Sequence, residues 1–322
     1  MTASAVGGSV ARQLTRRPPV RIGISLTSFH TTRDVREGAR MMIDRAAAAR
    51  AARLDSLFVG DHHAMPAPYY QNVPILGRLL AEWGPNPAGC LFLLPLWNPV
   101  LVAEQVGTLA SIAEGPFIVQ CALGDGRQQF SAMGANIKHR PSLFEEGLDT
   151  VKRLLSGETV SSEGRYRFEG ARIAPVPPEP VQFWVGGSAE PSIDRAARLG
   201  DGFLAGPELM PELAKHWAQF YRERCEAHGR KPGTVAIRRD IYVGESSAEA
   251  EAVARPIVEG GYRGHQPPAS TYGSAEEVAA RFADYGAMGY TDIIVRHLTG
   301  DQSRVLGSIK RLAEVRALVA DV

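Results

Sequence analysis

Residues 58–66 of the 322-residue chain read FVGDHHAMP. An apolar run stops there in one carboxylate and two adjacent imidazoles, Asp61, His62 and His63. Imidazole exchanges a proton near neutral pH, so this cluster at a strand end suits general acid–base work. Neighbouring residues of an extended chain point to opposite sides, so His62 and His63 are expected to do different jobs. One faces a pocket while the other packs or hydrogen-bonds, and Asp61 fixes the orientation. The same residues read equally well as satisfied structural histidines. No metal is expected: a centre would need ligands from several strands, and the first strand has no H-x-H pair.

Two glycine turns offer a place for an anion. In FWVGGSAEPSIDRAARLGDGF (183–203), Gly186 and Gly187 let the backbone come close to a ligand, and Ser188 adds a hydroxyl and an amide. Pro191 suits the first turn of the helix that follows, whose free amides attract phosphate. The carboxylate of Glu190 works against that. In ALGDGRQQFSAMG (122–134), Gly124 and Gly126 flank Asp125, and Arg127 supplies a cation. Either turn alone also reads as a plain strand-to-helix connection. His30, Asn98, Arg296 and His297 stand at other strand ends.

Eight β-like runs would position these residues: 20–26, 56–60, 89–97, 116–124, 181–187, 201–206, 235–244 and 290–298. They are near-continuous apolar runs, as strands covered on both faces are. Helical stretches lie between them near 34–53, 99–114, 141–156, 190–199, 208–228, 246–259 and 274–288, with a last one over 301–320. Ser142 with Glu145, Ser246 with Glu249 and Ser274 with Glu277 have the spacing of a capping box. The alternation predicts one parallel (β/α)8 TIM barrel over residues 20–322. An open doubly wound sheet is the rival, but no GxGxxG follows the first strand. Residues 157–180 read as an inserted hairpin with a proline-rich connection. Residues 260–273, GGYRGHQPPASTYG, read either as a mobile lid or as a surface loop.

Composition bounds the function. With 36 basic and 35 acidic side chains, neither nucleic acid nor an acidic membrane surface is an expected partner. No run is long enough to span a membrane. The three cysteines, Cys90, Cys121 and Cys225, lie far apart without a CxxC pair, which suits a cytoplasmic protein. The first 19 residues lack the apolar core of a secretion signal and read as a disordered tail.

Five segments in order along residues 20–320 carry a resemblance: AAAARAARLDSLFVGDHHAMP, LPLWNPVLVAEQVGTLASIAEGPFIVQCALGDG, HRPSLFEEGLDTVKRLLSGETVSSEGRYRF, PVQFWVGGSAEPSIDRAARLGDGF and YGSAEEVAARFADYGAMGYTDIIVRHL. Together they resemble the bacterial luciferase-like flavin monooxygenases and their deazaflavin-dependent relatives. The resemblance implies a barrel holding reduced FMN, or a deazaflavin of the 8-hydroxy-5-deazaflavin type, at its C-terminal mouth. It places the catalytic imidazole on His62, oriented by Asp61, and the phosphate at Gly186, Gly187 and Ser188. It puts a bulge or non-proline cis peptide under the coenzyme ring around Cys90 and Leu91, and brings Gly124 and Arg127 to the coenzyme. Tyr70, Asn98 and Arg296 are expected to meet a small-molecule substrate. Gly115-Pro116-Phe117 departs from the family's Gly-Arg-Phe. Arg127 stands where the deazaflavin sugar-phosphate dehydrogenases have Glu, and Leu123 where luciferase has a cation. The implied activity is a monooxygenase using reduced FMN and oxygen. Its rivals are deazaflavin-dependent hydride transfer and a non-catalytic flavin-binding protein. A separate flavin or deazaflavin reductase and a homodimer are the implied protein partners.

Overall fold

A computed structural model describes residues 19–320. The tail expected over residues 1–19 lies outside the described residues, apart from Pro19. Eight strands form the ring: β1 (Arg21–Leu26), β2 (Ser56–Val59), β3 (Ala88–Phe92), β4 (Phe117–Cys121), β7 (Gln182–Gly187), β8 (Gly202–Ala205), β9 (Thr234–Val243) and β11 (Asp292–His297). They pair in parallel in that order, and β11 returns to β1, with Arg21 opposite Asp292 and Ile24 opposite Val295. This is the expected (β/α)8 barrel. The inserted hairpin is present as β5 (Val160–Glu163) and β6 (Arg167–Ala171).

The helices α1 (Val35–Ala51), α2 (Asn72–Trp83), α3 (Pro99–Ile112), α4 (Arg127–Ala132), α5 (Arg140–Leu155), α6 (Glu190–Leu199), α7 (Pro211–Ala227), α8 (Ser247–Glu259), α9 (Ala275–Met288) and α10 (Gln302–Ala320) surround the ring. Strand faces turned outward, such as those of Ile22, Ile24, Leu57 and Val59, pack with Met42, Leu76 and Ile309 of the helices. Faces turned inward fill the ring: Phe58, Ile118, Trp184, Ala236 and Ile294 form a separate buried cluster, with Leu204 against it. Each large side chain buried there contributes roughly 1.5–3 kcal/mol. The plug leaves the C-terminal mouth open above it. At the closure seam, Arg21 makes a two-pronged bond to Asp292, at 2.8 and 2.6 Å.

Several local expectations are corrected. The third run does not continue as a strand to residue 97; it ends at Phe92, and Leu94–Leu96 form a 3-10 turn. Pro95 cannot donate to a ladder, and the Leu93 amide is taken by Asp61. Helices α2 and α4 lie where the sequence pattern predicts none. Helix α2 has Pro74 in its first turn, where the missing N–H costs little, and no side chain caps its start, although Ile75, Leu76, Leu79, Leu80 and Trp83 bury one stripe at helical spacing. Ser274 and Glu277 form the expected capping box, and Ser246 accepts from the Glu249 amide. Ser142 does not cap: the helix starts at Arg140, and Glu145 instead pairs with Arg195 and Arg198. The stretch 260–273 is not one loop. Two 3-10 turns lead into a strand, β10 (Ser270–Gly273), parallel to the upper half of β9. Among the described residues no helix is long and apolar enough to cross a membrane.

Candidate active site

A cavity of about 990 Å³ opens at the C-terminal ends of β1, β2, β3, β4, β9 and β11. Apolar Leu91, Leu93, Met65 and Phe29 line it together with polar His62, Tyr69, Arg238 and Arg296. His30 also lines it, with its Nε2 3.0 Å from the Thr27 carbonyl.

His62 and His63 part company as alternation requires. His62 lines the cavity and makes no hydrogen bond through its ring among the described residues; its ring lies 5.9 Å from that of Tyr69. Burial depresses its pKa below the ordinary 6.5, with Asp61 and Asp125 opposing the shift. The imidazole is therefore neutral at pH 7, free to accept a proton at one nitrogen and donate at the other. His63 packs edge-on against Trp97.

Asp61 does not orient His62, contrary to expectation. Its Oδ2 accepts from the Leu93 amide and from Trp97 Nε1, both at 2.8 Å, and His63 Nε2 stands 3.2 Å from Oδ1. That last contact is poorly aligned, since both atoms lack a directed hydrogen bond. The carboxylate thus ties the end of β2 to the end of β3. His62 is held through its backbone instead: Gln71 Nε2 donates to the His62 carbonyl at 3.1 Å. The next amide, that of His63, donates to Gln129 Oε1 at 2.6 Å.

The tyrosine in the cavity is Tyr69, not Tyr70. The loop after β1 zips onto the segment after residue 67: Phe29 and Tyr69 form an antiparallel bridge, and the Tyr70 amide donates to the Ser28 carbonyl at 2.9 Å. On this extended stretch successive side chains point opposite ways. Tyr69 turns inward, while Tyr70 turns under α1 and donates its hydroxyl to the Val35 carbonyl. Gly60 makes room beneath Tyr69. A methyl at that position would stand 3.1 Å from the Tyr69 hydroxyl and 3.4 Å from Arg296 Nη2, so both groups overhang one spot. Burial raises the Tyr69 pKa, which keeps its hydroxyl protonated as a donor.

Other expected residues are distributed as follows. Arg296 and Leu91 line the cavity, and so does Gly124, whose φ of 69° a side chain would strain. Cys90 turns outward into the helix-facing core, where burial raises its thiol pKa well above normal. The only cis peptide among the described residues is Ala174–Pro175, so none lies at Cys90–Leu91. Asn98 is the cap of α3, accepting from the Val100 amide at 2.9 Å, and is no part of the cavity. Arg127 is exposed at the start of α4 and borders a separate shallow depression with Phe130 and Asn136. Gly186, Gly187 and Ser188 sit at the same barrel end, on β7 and just after it, but do not line the cavity, which on that side is bounded by Gly124, Asp125 and Gln129. The Ser188 hydroxyl is given to Glu208. His297 lines the cavity edge yet bonds Ser308 Oγ at 3.1 Å.

Three residues that line the cavity are not among those expected from the sequence: Tyr69, Arg238 and Arg263. The signal for Arg238 was available in VAIRRDIYVG, where three charges interrupt an apolar strand. Charge in a buried strand calls for a ligand or partner.

A profile described as luciferase-like monooxygenase matches residues 20–294. The F420-dependent glucose-6-phosphate dehydrogenase of Nakamurella multipartita is 27% identical over 210 residues, covering 61% of this chain and 59% of that protein. The FMNH(2)-dependent dimethylsulfone monooxygenase of Pseudomonas fluorescens is 25% identical over 228 residues, covering 68% of this chain and 61% of that protein. The chain thus spans about three fifths of the length of these curated relatives. The solved structure of monooxygenase RslO1 from Streptomyces bottropensis matches the fold with a TM-score of 0.80 at 19% identity, over 92% of this chain and 98% of that one. The span of the profile, laid over a closed parallel barrel, establishes the kinship: this chain belongs to the luciferase-like monooxygenase family, whose relatives named above divide between FMN and F420.

Proposed function

We propose that this protein is an oxidoreductase that acts on a small organic substrate with reduced FMN and oxygen. The observation that carries the proposal is the convergence of neutral His62, the Tyr69 hydroxyl and Arg296 on one cavity that Leu91 and Leu93 also line. The residues fit a flat tricyclic coenzyme. Gly60 and Gly124 present no side chain, Leu91 and Leu93 offer an apolar bed, and the volume suits a bound ring with a small substrate. Gly124, and Gly186 to Ser188 at the same barrel end, would hold the ring edge and phosphate through backbone amides. Glu208 at Ser188 weakens that anchor, and Arg127 at the start of α4 is a candidate cation.

When bound, the coenzyme supplies the electrons. The chain supplies proton control and exclusion of water. His62 takes or returns a proton at its free ring nitrogen, Tyr69 donates a hydrogen bond, and Met65, Phe29 and Tyr262 shield the cavity. Replacing His62 by Ala should lower kcat about 100-fold or more while coenzyme affinity stays within about threefold. Turnover and spectral titration check this together. Unchanged turnover rejects the role of His62; retained binding without wild-type turnover supports the non-catalytic alternative.

Hydride transfer with a deazaflavin is the second reading, favoured by the F420-dependent relative. Assays with each reduced coenzyme separate the two: turnover only with the deazaflavin rejects FMN. We assign delivery of reduced coenzyme to a separate reductase, because the chain carries no GxGxxG after its first strand.

A further inference from the structure

Arg238 of β9 and Arg296 of β11 come from neighbouring strands and end in the cavity. Arg263 reaches it from the segment between α8 and β10. Their acidic neighbour is Asp240, whose side chain is 1% exposed. The match is loose. Asp240 lies 3.7 Å from Arg238 Nε, 4.0 Å from Arg263 Nη1 and 3.9 Å from His265 Nδ1, all beyond hydrogen-bond reach. Arg238 Nε and Nη2, Arg296 Nε and both Asp240 oxygens are buried without a partner. Arg296 spends one Nη2 bond on Ser25 Oγ, at 3.2 Å. Buried guanidinium groups with undirected N–H bonds destabilise a fold unless a ligand satisfies them.

The charge balance is positive there. Desolvation, then the like charge of Arg296, pushes the Arg238 pKa down to about 9, which leaves it cationic at pH 7. The other carboxylates that line the cavity, Asp61, Asp125 and Asp301, form no ion pair with these arginines. Asp61 is committed to Leu93 and Trp97, and Asp301 accepts from the Arg304 amide. Asp125 follows β4, which stands opposite β11 in the ring. The arginines therefore face the Leu91 and Gly124 side across the cavity, and the phosphate-type turn after β7 is a different part of the rim.

We propose that the substrate is a small organic acid whose carboxylate, sulfonate or phosphate head is gripped by Arg238 and Arg296 and covered by Arg263. This deepens the function proposed above and rests on it for placing a coenzyme at the Leu91 side. Planar guanidinium groups bond two oxygens of such a head at once. Tyr69, shared between His62 and Arg296, would set the reacting carbon beside the imidazole.

The test is calorimetric titration of the full chain, without coenzyme, with sodium sulfate and inorganic phosphate as probes. Saturable binding is expected, about tenfold weaker in Arg238→Gln and Arg296→Gln and unaltered when exposed Arg78 becomes Gln. Asp240→Asn should tighten binding about tenfold, an outcome that misfolding cannot produce. No saturable binding by the wild type, or no gain in Asp240→Asn, overturns the proposal. FMN titration gives the remaining arm. If Arg238→Gln and Arg296→Gln lose FMN in parallel with the anion, the arginines serve the coenzyme phosphate and the proposal fails. If the anion binds as expected and neither coenzyme does, the arginine site stands and the coenzyme reading fails instead.

Discussion

Replacing Tyr69 by Phe removes the hydroxyl that overhangs Gly60 but leaves the ring that packs near His62. We expect kcat/KM to fall about five- to tenfold, the worth of one directed hydrogen bond. Tyr70→Phe should instead keep kinetics within about twofold and cost about 1 kcal/mol in urea unfolding, since its hydroxyl serves the Val35 carbonyl. The reverse ranking would reject the assignment of Tyr69. His62 adds a pH signature. Its pKa lies below 6.5 because of burial, so the neutral form is present at pH 7 and is lost as pH falls through that depressed value. A kcat–pH profile should show its acid limb below the range of a free imidazole, and His62→Ala should abolish it. Asp61-His62-His63 and Arg296 stood out by type and place, whereas Tyr69 and Tyr70 differ only in which way a bridge with Phe29 turns them. That pairing is not written in either residue.

Elements carry the residues, and Asp61 shows how. Its carboxylate joins β2 to the 3-10 turn after β3 by bonding the Leu93 amide and Trp97 Nε1. Asp61→Ala leaves two buried donors unsatisfied and should cost about 2–3 kcal/mol in denaturant unfolding. Asp61→Asn keeps an acceptor and should cost about 1 kcal/mol. If Asn were as damaging as Ala, the anchoring role would be wrong. Apolar runs between turn residues made the strands legible, because a strand buried on both faces needs such a run. Helix α2 does carry the helical period, with Ile75, Leu76, Leu79, Leu80 and Trp83 inward and Arg78 and Glu82 outward, but no side chain caps its start, so the usual start signal is missing. The strand β10 stayed hidden in a stretch rich in Gly and Pro, since its pairing with β9 comes from tertiary packing.

At the scale of the whole molecule, acid should weaken the barrel through buried imidazoles. His297 is buried between β11 and α10, with desolvation lowering its pKa from 6.5 to about 3. Its contribution is fully present above pH 6.5 and is lost as pH falls from 6.5 toward 3, at roughly 1 kcal/mol per pH unit. His30 and His265 are lowered too and steepen the loss. Urea titrations across that window should give a shallower pH dependence for His297→Gln; an identical slope would show that another group controls acid stability. The ring closure, eight parallel strands with short βα units, was the best-read feature of the chain because it repeats one pattern eight times. What that repetition conceals is the phase of β9. Arg238 points into the barrel, while its neighbour Arg239 points out and clasps the carbonyls of Pro207 and Ala269. Insertion or deletion of one codon between residues 234 and 238 would turn both side chains over, Arg238 outward and Arg239 inward, and leave either the cavity or the clasp without its guanidinium group. Length variation among natural or engineered relatives should therefore spare this strand, whatever happens in the loops at either end.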